Sequence, residues 1–316
     1  MDDSSKYYTD LDNLSNTIEK YGVAIIPNLF DENECLKMIS EMWDYLEYIT
    51  QEWETPMDRN NKSTWELLNN LTSKSLLFQY WNIGHSQMSW NLRQNPKIVE
   101  IFAKFWNVKS EDLLTSFDGS SFELEQVSDV KSHYIEWYHV DHSYLDPNFR
   151  NLQAWITAYD VNEGDATLKI LESSHKLFQE VGNKFNIRND KNWHLLNEEE
   201  FKYYSDRCPQ KSISCPKGSI VLWDSRTVHY GAISTNKKNI RCITYLCYAP
   251  RNLCSTYNLK LKKYAFNNLL TTSHDPIDFG FKPRTPFKEE YDESYFITKI
   301  TRPILTPLGE KLAGLI

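Results

Sequence analysis

Eight histidines are spread along the chain, His85, His133, His139, His142, His175, His194, His229 and His274, and one of them stands two residues before an aspartate. That stretch reads Trp137-Tyr138-His139-Val140-Asp141. Where a chain is extended, side chains two apart share a face, so His139 and Asp141 project together and His142 turns away. An imidazole beside a carboxylate makes two ligands for a first-row metal. A second imidazole from another strand would complete a two-histidine, one-carboxylate face with positions left open for ligands and oxygen. His229 is the candidate for that role. It follows Gly218-Ser219-Ile220-Val221-Leu222-Trp223-Asp224-Ser225-Arg226-Thr227-Val228, which reads as a strand and a tight turn, so the histidine opens the next strand. Shortly after it, Arg241 heads the run Arg241-Cys242-Ile243-Thr244-Tyr245. A buried arginine there would present a planar fork to a carboxylate. Arg226 is the rival for that task, but it falls in the turn.

These residues need a scaffold that brings distant strands to one mouth. From Leu113 onward, short β-like runs recur: 113–122, 137–143, 152–159, 167–171, 212–215, 219–223 and 240–248. No helices alternate with them, which predicts a sandwich or barrel with Greek-key or jelly-roll connections. The first third is different. A helix is expected over 11–21, then an apolar strand Gly22-Val23-Ala24-Ile25-Ile26-Pro27. A second helix starts at Asp31, with Leu36, Ile39, Met42, Trp43 and Leu46 at helical spacing. After Pro250 the chain reads as irregular, with a basic, solvated segment at 260–263 and a last helix near 308–315. One domain over 1–316 is expected: a mostly helical region to 110, a β-core over 111–250 and a C-terminal extension over 251–316.

Composition narrows the class. Of 316 residues, 41% are apolar and 25% charged, ordinary values for a folded globular chain. The 43 acidic against 35 basic residues give a net charge of −8, so no general attraction to nucleic acid or anionic membrane is expected. No run reaches the roughly 18 apolar residues of a membrane span. The opening Met1-Asp2-Asp3-Ser4-Ser5 is unlike a secretory leader. Six scattered cysteines without a CxxC pair read as buried reduced thiols, and a cytoplasmic location is the simplest expectation.

The whole pattern resembles the iron(II)- and 2-oxoglutarate-dependent oxygenases, specifically the phytanoyl-CoA dioxygenase-like family. Tyr21-Gly22-Val23-Ala24-Ile25-Ile26-Pro27-Asn28 is similar to the family's N-terminal opening, and Trp137 to Asp141 to its metal strand. The stretch from Ala166 to Lys176 resembles its strand ending in Gly-Ser-His, with Ser173 where glycine is commoner. Leu222 to Arg226 is similar too, and the likeness covers roughly residues 20 to 250.

The resemblance implies a mainly β protein with flanking helices and a double-stranded β-helix (jelly-roll, cupin-like) core. His139, Asp141 and His229 would hold Fe(II), and Arg241 would pair the distal carboxylate of the cosubstrate 2-oxoglutarate. Gln153 and Trp155, two apart on the next strand, would line the cosubstrate. Some relatives carry a hydroxyl residue two after the distal histidine. Gly231 stands there, so Thr244 or a nearby tyrosine is left to share the carboxylate.

The implied reaction uses O2 to hydroxylate an unactivated C–H bond, releasing succinate and CO2. Related halogenases have a small residue in place of the carboxylate, so Asp141 argues for hydroxylation. A small-molecule substrate is expected. The alternatives are a protein side chain as substrate, or a non-catalytic binding protein on the same fold. A metal hydrolase is disfavoured because no general base accompanies the triad. His142 and His133 are expected beyond the metal or at the rim, His175 as a loop-ordering residue, and His85 in a structural role, with a place in the pocket wall as its alternative.

Overall fold

The computed structural model of the protein describes residues 4–71, 77–125, 136–236, 238–278 and 296–316; His133 lies outside them. In chain order the main elements are α1 (Leu14–Tyr21), β1 (Val23–Ile26), α2 (Glu32–Ile49), α3 (Gln87–Arg93), α4 (Pro96–Trp106), β2 (Leu113–Thr115), β3 (Ser120–Glu123), β4 (His139–Val140), β5 (Leu152–Thr157) and β6 (Thr167–Leu171). They continue with α5 (Phe178–Lys184), β7 (His194–Leu195), α6 (Glu198–Ser205), β8 (Gln210–Ser212), β9 (Ile220–Asp224), β10 (His229–Ala232), β11 (Arg241–Pro250), α7 (Thr256–Asn267) and α8 (Pro307–Leu312).

Two antiparallel sheets face each other. The larger runs β1-β9-β5-β11-β2, with β3 also pairing β11, and the smaller runs β7-β4-β10-β6-β8. This is the double-stranded β-helix, and its residue alternation explains three separate cores. Inward-facing Val23, Ile25, Trp155, Leu168, Ile170, Val221, Trp223 and Ile243 fill the space between the sheets. On the outer face of the larger sheet, Leu152, Ala154, Ile156, Leu222 and Leu246 pack against Met42 and Leu46 of α2 and Phe102 of α4. Behind the smaller sheet, Tyr138, Val140, Leu171 and Tyr230 meet Phe178 of α5 and Tyr204 of α6. A strand such as β5 is therefore buried on both faces, which is why its sequence lacks a polar alternation. Each large apolar side chain so buried contributes roughly 1.5–3 kcal/mol.

The local chemistry matches the elements. Asp31 accepts from the Glu34 amide while the Glu34 side chain reaches back to Asp31, a reciprocal cap on α2. The buried face of α2 is Cys35, Met38, Met42, Trp43, Tyr45, Leu46 and Ile49, whereas Leu36 is 53% exposed, so the predicted face was rotated by about one residue at its start. At the turn into β1, Gly22 has φ +78°, and a Cβ there would fall 2.4 Å from Thr227 Oγ1 and 2.6 Å from His175 Nδ1. Both facts demand glycine. His175 itself bonds the Glu19 carbonyl through Nε2 (3.0 Å) and orders this junction, as the sequence suggested.

Two expectations fail. The strand predicted over 137–143 shrinks to His139–Val140, because the chain bends at Asp141 to give its amide to the Ser225 carbonyl. The tail is not irregular throughout, since α7 runs twelve residues through the basic segment. There Lys262 is fully buried rather than solvated, bonding the Thr115 carbonyl with its ammonium 4.0 Å from the Phe117 ring centroid.

His85 is a structural residue. It is buried among Trp90, Phe117 and Phe266, with Nε2 3.1 Å from the Leu270 carbonyl. Burial, reinforced by the nearby Arg93 cation, pushes its pKa down to about 3. An unfolded imidazole titrates near 6.5, so the unfolded chain takes up the proton first. His85 thus favours the fold fully above about pH 6.5, and that contribution falls as pH drops toward 3, by up to about 1.4 kcal/mol per pH unit. His85→Gln keeps a donor for Leu270. In urea unfolding, its stability loss between pH 7 and 5 should be about 2 kcal/mol smaller than the parent's. Equal losses would place the acid sensitivity elsewhere.

Candidate active site

The register of the smaller sheet sets His229 directly opposite His139, so their rings share the inner face with centroids 4.3 Å apart. The bend after β4 brings Asp141 to both. Its carboxylate lies 3.6 Å from His139 Nε2 and 3.3 Å from His229 Nε2. One ligand atom from each of the three falls within 4.8 Å of the others. The backbone prepares both imidazoles identically. His139 Nδ1 is 3.0 Å from the Trp137 carbonyl and His229 Nδ1 2.8 Å from the Thr227 carbonyl. Each ring therefore donates through Nδ1 and turns a lone pair on Nε2 inward, the tautomer a metal requires. Trp137 lies parallel to His139 at 4.4 Å and fixes its plane. His142 faces away and bonds Ser225 and the Asp146 carbonyl.

Asp141 is only 12% exposed, and among the described residues its ion-pair partners are histidines alone. Burial by itself would raise its pKa. The imidazoles of His274, His139 and His229 outweigh that and hold the carboxyl well below its ordinary range. Burial and the adjacent His139 push His229 down, keeping it neutral and available as a ligand. Gln153 donates to Asp141 Oδ2 at 2.9 Å and so aims the carboxylate. An inward-facing, buried set of two imidazoles and one oriented carboxylate fits Fe(II) with open positions.

Beside the triad, a small pocket is lined by Asp118, Gln153, Trp223, Tyr245, Cys247 and His274. On β11 the inward positions are Arg241, Ile243, Tyr245 and Cys247, so Tyr245 shares the face of Arg241 and interacts with it. Thr244 points outward and bonds Ser120 at 3.0 Å. Between the two candidate hydroxyls, the pleat favours the tyrosine. Arg241 is 4% exposed. Its Nε bonds Ser121 and its Nη1 the Ala166 carbonyl, and among the described residues no carboxylate lies within ion-pair distance. Its guanidinium stands 5.6 Å from the Trp155 ring. The indole N–H groups of Trp155 and Trp223 are buried without partners among the described residues. A cation and two unsatisfied donors in one interior call for an acceptor-rich anion. Arg226, by contrast, already holds Asp224 through two nitrogens and bonds the Pro147 carbonyl.

Sequence reasoning missed Trp223, Ser121, Asp118 and His274. Trp223 carried a signal, since it alternates with Val221 on a strand next to β5. His274 carried none, being one histidine in an irregular tail.

Fold and site together define a non-haem iron oxygenase on a double-stranded β-helix. The sequence model of the family described as phytanoyl-CoA dioxygenase matches residues 18–241, and the chain belongs to that family. Its cofactors are those of an Fe(II)- and 2-oxoglutarate-dependent enzyme using O2. It is 26% identical over 264 residues to Ava biosynthesis cluster protein O of Aspergillus versicolor, covering 81% of this chain and 83% of that protein. It is 24% identical over 305 residues to a Dictyostelium discoideum protein provisionally named phytanoyl-CoA dioxygenase, covering 83% and 82%. The crystal structure of GlcNAc Inducible Gene 2 from Candida albicans superposes with a TM-score of 0.62 at 14% identity, over 99% of this chain and 80% of that one, which shows the shared fold. Among the described residues, no helix is long and apolar enough to cross a membrane.

Proposed function

We propose that the chain hydroxylates an unactivated C–H bond of an apolar small molecule. In this reading His139, Asp141 and His229 hold Fe(II), and Arg241 fixes the distal carboxylate of 2-oxoglutarate. Trp155 lines the cosubstrate, and Gln153 lines it while aiming Asp141. The bound iron supplies the activation of dioxygen. One oxygen atom goes into succinate as CO2 leaves, and the other enters the product as a hydroxyl. The protein's own work is to present three ligands on one side, keep the opposite side open and hold the cosubstrate dry.

One observation carries this reading. The triad and a buried arginine with no carboxylate partner among the described residues face the same interior, and between them lies a pocket lined by Gln153, which bonds Asp141, and by Tyr245, which interacts with Arg241. The substrate class is supported by the rim. Trp193 and Leu195, 45% and 47% exposed, flank β4, and the Trp193 ring is 6.2 Å from that of His139. Exposed apolar side chains beside a reactive centre suit a greasy, flat substrate. The Aspergillus relative's place in a biosynthesis cluster agrees with a small molecule.

The test is to incubate the Fe(II)-loaded protein with 2-oxoglutarate, O2 and fractionated cell extracts. Succinate should rise with a small-molecule fraction, and a product one oxygen atom heavier should appear in it. Succinate formation driven only by a protein fraction would favour side-chain hydroxylation and overturn the small-molecule assignment.

A further inference from the structure

His274 lies beyond residue 241, where the family match ends, yet the C-terminal extension delivers it to the triad. Its Nδ1 is 3.9 Å from Asp141 Oδ1, it lines the pocket beside Gln153 and Trp223, and its Nε2 is buried with no hydrogen-bond partner among the described residues. The segment that carries it is irregular but held on both sides. Before it, Thr271 accepts from the Gly84 amide, and Thr272 exchanges bonds with the Phe117 backbone through its amide and its hydroxyl. After it, Asp275 accepts from the amides of Ile277 and Asp278 and from the Asn192 side chain, with Arg150 3.9 Å away. Two anchored flanks fix a loop residue as firmly as a strand would.

A dicarboxylate stretched from Arg241 toward the triad needs donors at both ends. At the triad end Gln153 is already engaged by Asp141, and Asp118 is an acid held by Gln79 and the Gly119 amide. Among the described residues, two polar groups lining that pocket stand without partners, the Trp223 indole N–H and His274 Nε2. Asp141 is too far from Nδ1 to bond it, so nothing pins the ring proton to that nitrogen, and the tautomer with a proton on Nε2 is open. We infer that His274 is a cosubstrate-positioning residue that donates from Nε2 to the carboxylate of 2-oxoglutarate nearest the metal. The inference rests on the reading of the site given above and extends it to a residue from outside the β-core.

The experiment titrates 2-oxoglutarate into protein loaded with Mn(II), which binds the cosubstrate without turnover, for the parent, His274→Ala, His274→Gln and Arg241→Gln. Loss of one charge-assisted hydrogen bond should raise the 2-oxoglutarate dissociation constant of His274→Ala roughly ten- to a hundredfold. Glutamine, with an amide donor, should recover part of it. Mn(II) affinity measured without cosubstrate should stay within about twofold of the parent's, a split that general loosening of the site would not produce. The anaerobic Fe(II) complex should also show a shifted 2-oxoglutarate charge-transfer band in His274→Ala. Unchanged cosubstrate affinity in His274→Ala, with Arg241→Gln impaired, overturns this inference alone. Loss of Mn(II) as severe as in His139→Ala overturns it by making the ring a metal ligand. A parent that binds no 2-oxoglutarate overturns the underlying reading instead. If alanine lowers the thermal midpoint, the glutamine variant decides: affinity better than alanine's supports a donor role, and affinity no better than alanine's counts against it.

Discussion

His139→Ala, Asp141→Ala and His229→Ala each abolish 2-oxoglutarate turnover in the expected result, and each binds Fe(II) far more weakly than the parent's one ion per chain. The reason is geometric. Three ligand atoms within 4.8 Å of one another form one face, and removing any of them leaves two, too few to hold a labile divalent ion at micromolar levels. Outer partners cost less. Gln153→Leu frees the Asp141 carboxylate to rotate and should weaken iron binding roughly 10–100-fold, the range typical of groups that orient a ligand. His142→Ala is the contrast, since that ring bonds Ser225 and Asp146 on the other face. It should lower the unfolding midpoint while the iron stoichiometry stays at one. Asp141→Gly vacates a coordination position, so added chloride or azide should perturb the metal spectrum more than in the parent. The check is anaerobic equilibrium dialysis of Fe(II) together with succinate release. Retained turnover in a histidine variant would remove that residue from the ligand set.

Arg241→Gln should raise the 2-oxoglutarate dissociation constant roughly ten- to a thousandfold and leave iron binding nearly untouched. Two charge-assisted hydrogen bonds from a buried guanidinium to a carboxylate are worth about 1.5–3 kcal/mol each, and about 1.4 kcal/mol is tenfold in affinity. Arg226→Gln tests the assignment from the other side. Arg226 is occupied by Asp224, whose side chain is 1% exposed, so its loss strands a buried carboxylate. That variant should unfold at a lower urea concentration yet bind 2-oxoglutarate like the parent. An anaerobic titration of both iron-loaded variants separates the cases. If Arg226→Gln loses the cosubstrate while Arg241→Gln keeps it, the arginines have been interchanged. If neither matters, the anion is not 2-oxoglutarate.

The difference between these two arginines shows where the chain's own letters stop being informative. The alternation of a β-strand is local, so residue order alone placed Arg241 inside a strand and Arg226 in a turn, and put Gln153 and Trp155 on one face. Ligand chemistry is likewise written in residue types. An HxD, a later histidine after a strand and a turn, and a following arginine nominated the candidate triad and anion clamp. The short strands pointed to a sandwich or barrel, and the family resemblance implied the double-stranded β-helix. The start of α2 at Asp31 was legible for the same reason, since the hydrogen bonds of a helix cap join near neighbours.

Other features depend on residues far apart in the chain and could not be read that way. Asp141 reaches His139 and His229 through a bend made by its bond to the Ser225 carbonyl, 84 residues on, and not by the pleat of a longer strand. Lys262 is buried because α7 packs over Phe117, although its neighbours in sequence are those of a solvated helix. Tyr245 was separated from Thr244 only by the face that β11 turns inward. His274 is the clearest case. No periodicity marks it, and its place beside Asp141 is set by anchors at Phe117, Gly84, Asn192 and Arg150, each on a different element or loop. Residue types, their spacing and the family resemblance they carry indicated the class of chemistry; long-range packing decided which side chains surround it, because such contacts join segments whose local sequences carry no trace of each other.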